Sequence, residues 1–291
     1  MNENIFTENF WLEKWENLAG TKDDTLNVHK GFATAEYWDK ASLSYNTRKK
    51  EITDKKTDKI IKLLKSNKLI FNNCKVLDIG CGTGLLSREL AKNRCMVTAM
   101  DFSKGMIKRC NNELPENLKN KIDYLQGDWN QLDLKEMKWE KYFDLVVAFM
   151  SPATSTPASF FKMMKTTKNG CAIKGWATRK HELLDSLWNA VMGTPLEDKP
   201  QNILYKLNLL FSMGYFPEIT FDKIKWEETI SVENELKTQF AFFQKISTKS
   251  DSELKKAIKK HLESVAKNGL IQKKHEGLTA TALWHIRPDI Y

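Results

Sequence analysis

The chain has 291 residues, of which 41% are hydrophobic and 29% charged, and a formal net charge of +9. That length and apolar content exclude a disordered chain and suffice to bury a sizeable core. No run approaches the ~18 apolar residues of a membrane span, and residues 1–10 carry two acids and no basic residue, so neither a membrane anchor nor a secretory signal is expected and the location reads as cytoplasmic.

In chain order, residues 1–19 read as a helix with Phe6, Phe10, Trp11, Trp15 and Leu18 on one apolar face, which needs a partner surface. The polar stretch Thr21–Lys30, which contains His29, reads as a loop. The segment 32–45 holds Tyr37-Trp38-Asp39 and then Tyr45, and 47–66 reads as a helix with Ile52, Ile60, Leu63 and Leu64 facing in. Strands at 76–79, 96–100, 122–125, 143–150 and 171–176 then alternate with helices at 85–92, 104–112 and 158–166. This is the alternation of a parallel sheet with covered faces. Beyond it, 180–214 reads as one or two helices broken at Gly193-Thr194-Pro195. Residues 219–231 read as a strand, 233–246 and 252–267 as helices, and 278–286 as a last strand.

The five cysteines, Cys74, Cys81, Cys95, Cys110 and Cys171, are odd in number and form no C-x-x-C pair. They read as small buried thiols in a reducing compartment, and no metal site is expected. The positive charge permits nucleic-acid binding by counterion release. Its lysines are spread along the chain, however, and those at 255, 256, 259, 260 and 267 read as the solvated face of an amphipathic helix.

The stretch Val76-Leu77-Asp78-Ile79-Gly80-Cys81-Gly82-Thr83-Gly84 organises the chain. A short apolar run followed by Gly-rich punctuation marks a strand that turns sharply into a helix. Glycines there let the backbone approach a ligand, and the helix from about Leu85 points its positive end at it. A dinucleotide fingerprint reads G-x-G-x-x-G. Here the spacing is G-x-G-x-G, with Asp78 two residues before the first glycine. An acid at that position suits a cation better than a pyrophosphate. Asp101 ends the second strand, 17 residues after Gly84, where a carboxylate can accept from two ribose hydroxyls. Ser103 can cap the next helix in its place. Gly127-Asp128-Trp129 follows the third strand, and Ser151-Pro152-Ala153-Thr154 the fourth.

The glycine stretch resembles motif I of the class I S-adenosylmethionine (SAM) methyltransferases, and Gly127-Asp128 resembles their third-strand motif. The resemblance covers roughly residues 30–290, with its specific motifs between 76 and 176. It implies an α/β fold, with a doubly wound, mostly parallel seven-stranded sheet whose last strand inserts antiparallel. It implies an N-terminal helical cap over 1–66 and a SAM-binding domain over 67–291, with cap-forming helices at about 180–214 and 233–267. Asp78, Gly80, Cys81, Gly82 and Gly84 would then hold the amino-acid end of SAM, and Asp101 the ribose. Asp128, Trp129 and Met106 would meet the adenine, with Phe102 and Met150 also lining the cofactor. Tyr37, Tyr45, Ser151 and Trp176 would line the substrate.

The implied reaction is in-line displacement of the SAM methyl group onto a small-molecule acceptor, leaving S-adenosylhomocysteine (SAH). His181, after the fifth strand, is the first choice for a general base, against a helix-capping role, and His29 is the second. An RNA methyltransferase is the first alternative, kept open by the net charge. Enzymes that methylate an adenine amino group carry (Asp/Asn/Ser)-Pro-Pro-aromatic after strand four. Ser151-Pro152-Ala153-Thr154 lacks the second proline and the stacking aromatic. A non-catalytic SAM-binding protein is the second alternative.

Overall fold

The computed structural model describes residues 4–19, 34–42, 50–196 and 201–286. Its helices are α1 (Glu8–Ala19), α2 (Ala35–Ala41), α3 (Lys50–Ser66), α4 (Leu85–Lys92), α5 (Lys104–Asn112), α6 (Pro157–Thr166), α7 (Glu182–Met192), α8 (Asn202–Ser212), α9 (Val232–Phe243) and α10 (Asp251–Val265). The strands are β1 (Lys75–Ile79), β2 (Met96–Asp101), β3 (Ile122–Gln126), β4 (Phe143–Phe149), β5 (Thr167–Lys180), β6 (Glu218–Ser231) and β7 (Leu270–His285).

They form one sheet in the order β3-β2-β1-β4-β5-β7-β6. The first five strands are parallel, with Asp78 beside Ala99 on one flank and Val147 on the other. β7 inserts antiparallel between β5 and β6, where Ala282 faces both Ile173 and Ile219. This is the topology the glycine motif implied. The strand order changes direction between β1 and β4, so their carboxyl ends open a crevice there.

Two apolar layers sandwich the sheet. One joins Ile61 and Leu64 of α3 and Leu90 of α4 to Val76, Leu145 and Leu283. The other joins Trp15 of α1, Phe160 of α6 and Leu207 of α8 to Leu77, Val146 and Trp284. A third cluster lies outside both, built from α7, α9 and α10 around Leu187, Phe242 and Leu262.

Several elements depart from the sequence reading. Phe6 precedes α1 and is 82% exposed, so the apolar face of that helix centres on the buried Trp15. In α3 it is Ile61 and Leu64 that are buried, with Ile60 and Leu63 packed at the margin. β5 extends to Lys180 and β7 begins at Leu270, eight residues earlier than expected. The reason is the polarity of the added stretch. Lys273 and His275 alternate inward with Ile271, and two polar residues at core-facing positions hide the two-residue period. Beyond the end of β4, β5 to β7 continue as a three-stranded extension, with Lys180 opposite Glu276 and Ser231 opposite Leu270.

Candidate cofactor and acceptor site

The glycine loop is pinned where β1 meets α4. The amides of Gly80 and Cys81 both donate to the Met100 carbonyl, at 2.8 and 3.0 Å. Gly80 has φ 71°, and a Cβ there would stand 2.0 Å from Ser151 Oγ. Gly84, in the left-handed conformation at the start of α4, would bring a Cβ to 2.6 Å from the Tyr124 hydroxyl. Both positions therefore demand glycine twice over, by backbone conformation and by space. The clash at Gly80 also shows that the turn after β4 presses directly on the loop.

Two buried carboxylates flank it. Asp78 accepts from Ser87 Oγ at 2.6 Å, and burial pushes its pKa up to about 7. A cation beside it would offset that desolvation. Asp101 accepts from the Gly82 amide through Oδ2 and the Ser103 amide through Oδ1, both at 2.9 Å. Burial, followed by the charge of Asp39, pushes it up to about 6. One bond on each oxygen fixes the plane of the carboxylate and leaves each oxygen a second lone pair, the geometry that accepts from a vicinal diol.

Ser103 does cap α5, accepting from the Met106 amide at 3.1 Å. Its hydroxyl also donates to Asp39 Oδ1 at 2.6 Å, which takes a second bond from the Gly105 amide at 2.8 Å. One serine thus ties α2 to the strand end that carries Asp101. Asp39 had no assigned role in the sequence. The signal available was its place in Tyr37-Trp38-Asp39.

Asp78, Gly80, Cys81, Gly82, Gly84, Asp101 and Ser151 converge at the carboxyl ends of β1, β2 and β4. Phe102 and Asp128 are half-buried; the Gly127 amide donates to the Asp101 carbonyl at 3.0 Å, and Asp128 accepts from the Asn130 amide at 2.9 Å in a tight turn. Trp129 departs from expectation. Only 2% exposed, its indole N–H donates to the Ser159 carbonyl at 3.1 Å and the Lys162 ammonium lies 4.9 Å above its ring. The ring is committed to the core against α6 and is not presented to an adenine. Met106, 1% exposed, is likewise buried at the inner face of α5.

At the end of β4, Met150 has φ 55°, rare for a residue with a side chain, and its amide donates to the Lys174 carbonyl at 2.7 Å. Ser151 caps the short turn Pro152–Thr154 by accepting from the Ala153 amide at 3.2 Å. Three side chains hold that turn from behind. Trp15 and Asn202 each donate to the Ser155 carbonyl at 2.8 Å, and Lys206 Nζ donates to Thr154 Oγ1 at 2.9 Å. Lys206 is buried, and desolvation holds its pKa down at about 7. Sequence reasoning passed over it. The signal was a lone lysine inside Asn202–Ser212, an otherwise largely apolar helix.

Tyr37 packs edge-on against Trp38 and, at 6.1 Å, against Phe242 of α9. Tyr45 and His29 lie outside the described residues. Trp176 stacks on Trp226 at 5.9 Å, with the Arg179 guanidinium 5.2 Å from its centroid.

His181 does not have the geometry of a base. Its Nδ1 accepts from the Leu184 amide at 3.0 Å and caps α7. The lone pair that would take a proton is spent on the helix. Burial and the charges of Arg179, His275 and Lys273 hold its pKa well below the ordinary value, in keeping with that neutral acceptor.

Residues 76–170 match the methyltransferase domain family. Over 79 residues the chain is 33% identical to magnesium-protoporphyrin O-methyltransferase of Rhodobacter capsulatus, covering 27% of this chain and 35% of that protein. Over 157 residues it is 26% identical to malonyl-(acyl-carrier protein) O-methyltransferase of Halalkalibacterium halodurans, covering 53% of each. The chain thus spans about one third to one half of the length of these two relatives. The crystal structure of magnesium protoporphyrin IX methyltransferase from Synechocystis PCC 6803 with bound SAH aligns with a TM-score of 0.45 and 13% identity, covering 80% of this chain and 82% of that one.

Proposed function

We propose that this chain, whose residues 76–170 match the methyltransferase domain family, transfers the methyl group of SAM to a small-molecule acceptor. The observation that carries the reading is the pairing of a glycine loop too cramped for any Cβ with two buried, oriented carboxylates. The groups fit the parts of SAM. Asp78 gains an ammonium partner for a carboxylate that burial otherwise penalises. Asp101 presents two lone pairs to the ribose diol, and Asp128 stands at the end of β3 for the adenine amino group.

SAM supplies a methyl carbon on a sulfonium; the acceptor's lone pair takes that carbon as the C–S bond breaks, and its electron pair stays on sulfur to leave SAH. The chain's part is alignment. Met150 and the turn after it set the acceptor's position against the glycine loop, and proximity and orientation can contribute ~7–11 kcal/mol. α2, tied to Ser103 through Asp39 and touching α9 through Tyr37, closes the site from the ribose side. We read α2 and α9, with α7 and α10 packed on α9, as the acceptor cap on that ground.

A small molecule is favoured over RNA by the absence of a stacking aromatic in Ser151–Thr154 and by the acceptors named for the relatives. No helix among the described residues is long and apolar enough to cross a membrane. The test uses labelled SAM with a cell extract split into small molecules and macromolecules. Label is expected among the small molecules. Label in RNA would overturn the acceptor class, and no label in either fraction would leave a non-catalytic SAM binder. A thermal shift is expected with SAH and none with NAD, and Asp101→Ala should remove most of it.

A further inference from the structure

The three-stranded extension carries a second polar cluster, about 20 Å along β5 from the Lys174 level if six strand residues are counted at ~3.3 Å each. His275 Nε2 meets Glu228 Oε1 at 2.9 Å, and Trp226 lies flat on the imidazole at 4.4 Å. Lys273 bridges Glu228 and Glu235, at 3.3 and 3.1 Å. Glu235 in turn accepts from Gln239 Nε2 at 2.7 Å. Glu235, Gln239 and His275 are 0%, 4% and 6% exposed, and Glu228 reaches the surface with its side chain 35% exposed.

A buried polar network stabilises a fold only when every member is satisfied. Two atoms of this one, His275 Nδ1 and Gln239 Oε1, have no hydrogen-bond partner among the described residues. Their chemistry is set from their far ends. The Glu228 carboxylate takes the N–H of His275 Nε2, which leaves Nδ1 as the unpartnered ring nitrogen. The Glu235 carboxylate takes the amide NH₂ of Gln239, which leaves its oxygen. Gln239 Oε1 is therefore an acceptor, and whatever completes it has to donate, while a hydroxyl can serve His275 Nδ1 in either role.

The cluster connects to both sides of the site. Gln239 lies one turn from Phe242 on α9, and Phe242 meets Tyr37 of α2, the helix held beside Asp101. Trp226 stacks on Trp176, two residues past Lys174, whose carbonyl holds the Met150 amide. We propose that this network recognises the far end of the acceptor, with Gln239 Oε1 accepting a hydrogen bond from a hydroxyl or N–H group there and His275 Nδ1 hydrogen-bonded to a hydroxyl. The inference rests on the methyltransferase reading above. It describes an elongated acceptor, methylated at one end and bound through hydroxyl or N–H groups at the other. Glu228 and Glu235 make the neighbourhood unfavourable to a carboxylate or phosphate in that place.

The test measures label transfer from saturating SAM across a dilution series of the small-molecule extract, with SAH thermal shift read in parallel. His275→Phe keeps a flat ring under Trp226 and removes Nδ1, and Gln239→Leu removes Oε1. Each variant is expected to need about tenfold more extract for half-maximal transfer, with the maximal rate and the SAH shift retained. Wild-type dependence on extract in both variants would overturn the proposal and leave a structural network completed by water. Should His275→Phe fail to fold, Gln239→Leu at the other end of the network carries the same test. No transfer by the wild-type chain would remove the methyltransferase reading, and this inference with it.

Discussion

Lys206→Met tests how the turn after β4 is supported. Lys206 is 7% exposed, with Thr154 Oγ1 at 2.9 Å and the rings of Trp15 and Phe160 at 5.9 and 5.8 Å. No carboxylate among the described residues pairs with it. Burial alone takes its pKa from 10.5 to about 7, and at about 1.4 kcal/mol per pH unit the charge costs the folded state about 5 kcal/mol. Below pH 7 the amine is protonated in both states and the cost is complete. Between about 7 and 10.5 only the unfolded chain keeps the proton, so wild-type stability rises with pH through that window. Methionine has a similar length and no charge, but it gives up the hydrogen bond and the aromatic contacts, worth about 1–2 kcal/mol together. Lys206→Met should therefore be more stable than wild type by about 3–4 kcal/mol at pH 6.5, with the advantage gone by about pH 10. Urea unfolding of both proteins at pH 6.5, 8 and 9.5 measures this. A variant less stable than wild type at pH 6.5, with an unchanged pH slope, would refute the reasoning.

Gly80→Ala should abolish the SAH thermal shift, since its Cβ would lie 2.0 Å from Ser151 Oγ and the left-handed backbone adds about 1–2 kcal/mol of strain; an unchanged shift would contradict the loop geometry. SAH affinity should weaken as pH falls from about 7 to 5. Asp78 and Asp101, raised to about 7 and about 6 in the ligand-free chain, must ionise to take their partners. Calorimetry in buffers of different ionisation enthalpy should register proton release on binding, and pH-independent affinity would exclude both assignments. The same two groups should make the ligand-free chain lose stability as pH rises from about 4 to 7, because their folded pKa values lie above the unfolded ones. His181→Asn should preserve methyl transfer, because asparagine also caps a helix, whereas His181→Ala should cost α7 about 1 kcal/mol. Lost transfer in the asparagine variant at unchanged melting temperature would restore His181 as a base.

The parts legible in the sequence are those whose physics is local. Asp78 through Gly84 reads as a cofactor loop because the residue types required for a strand-to-helix turn stand next to one another. Ser103, and not Asp101, caps α5, as their order suggested. The strand–helix alternation then specifies the parallel half of the sheet.

What stayed hidden depends on partners far along the chain. Trp129 looks like a ligand-side aromatic until the Ser159 carbonyl, 30 residues on, claims its N–H. His181 looks like a base until α7 takes its lone pair. Lys206 has no meaning without Thr154, 52 residues away, nor His275 without Glu228, 47 residues away. A run of residues can announce a turn and the ligand chemistry it favours. Which face of a ring is buried, which lone pair is spent and which amine loses its water are settled by long-range packing, because desolvation and hydrogen-bond saturation belong to the assembled interior.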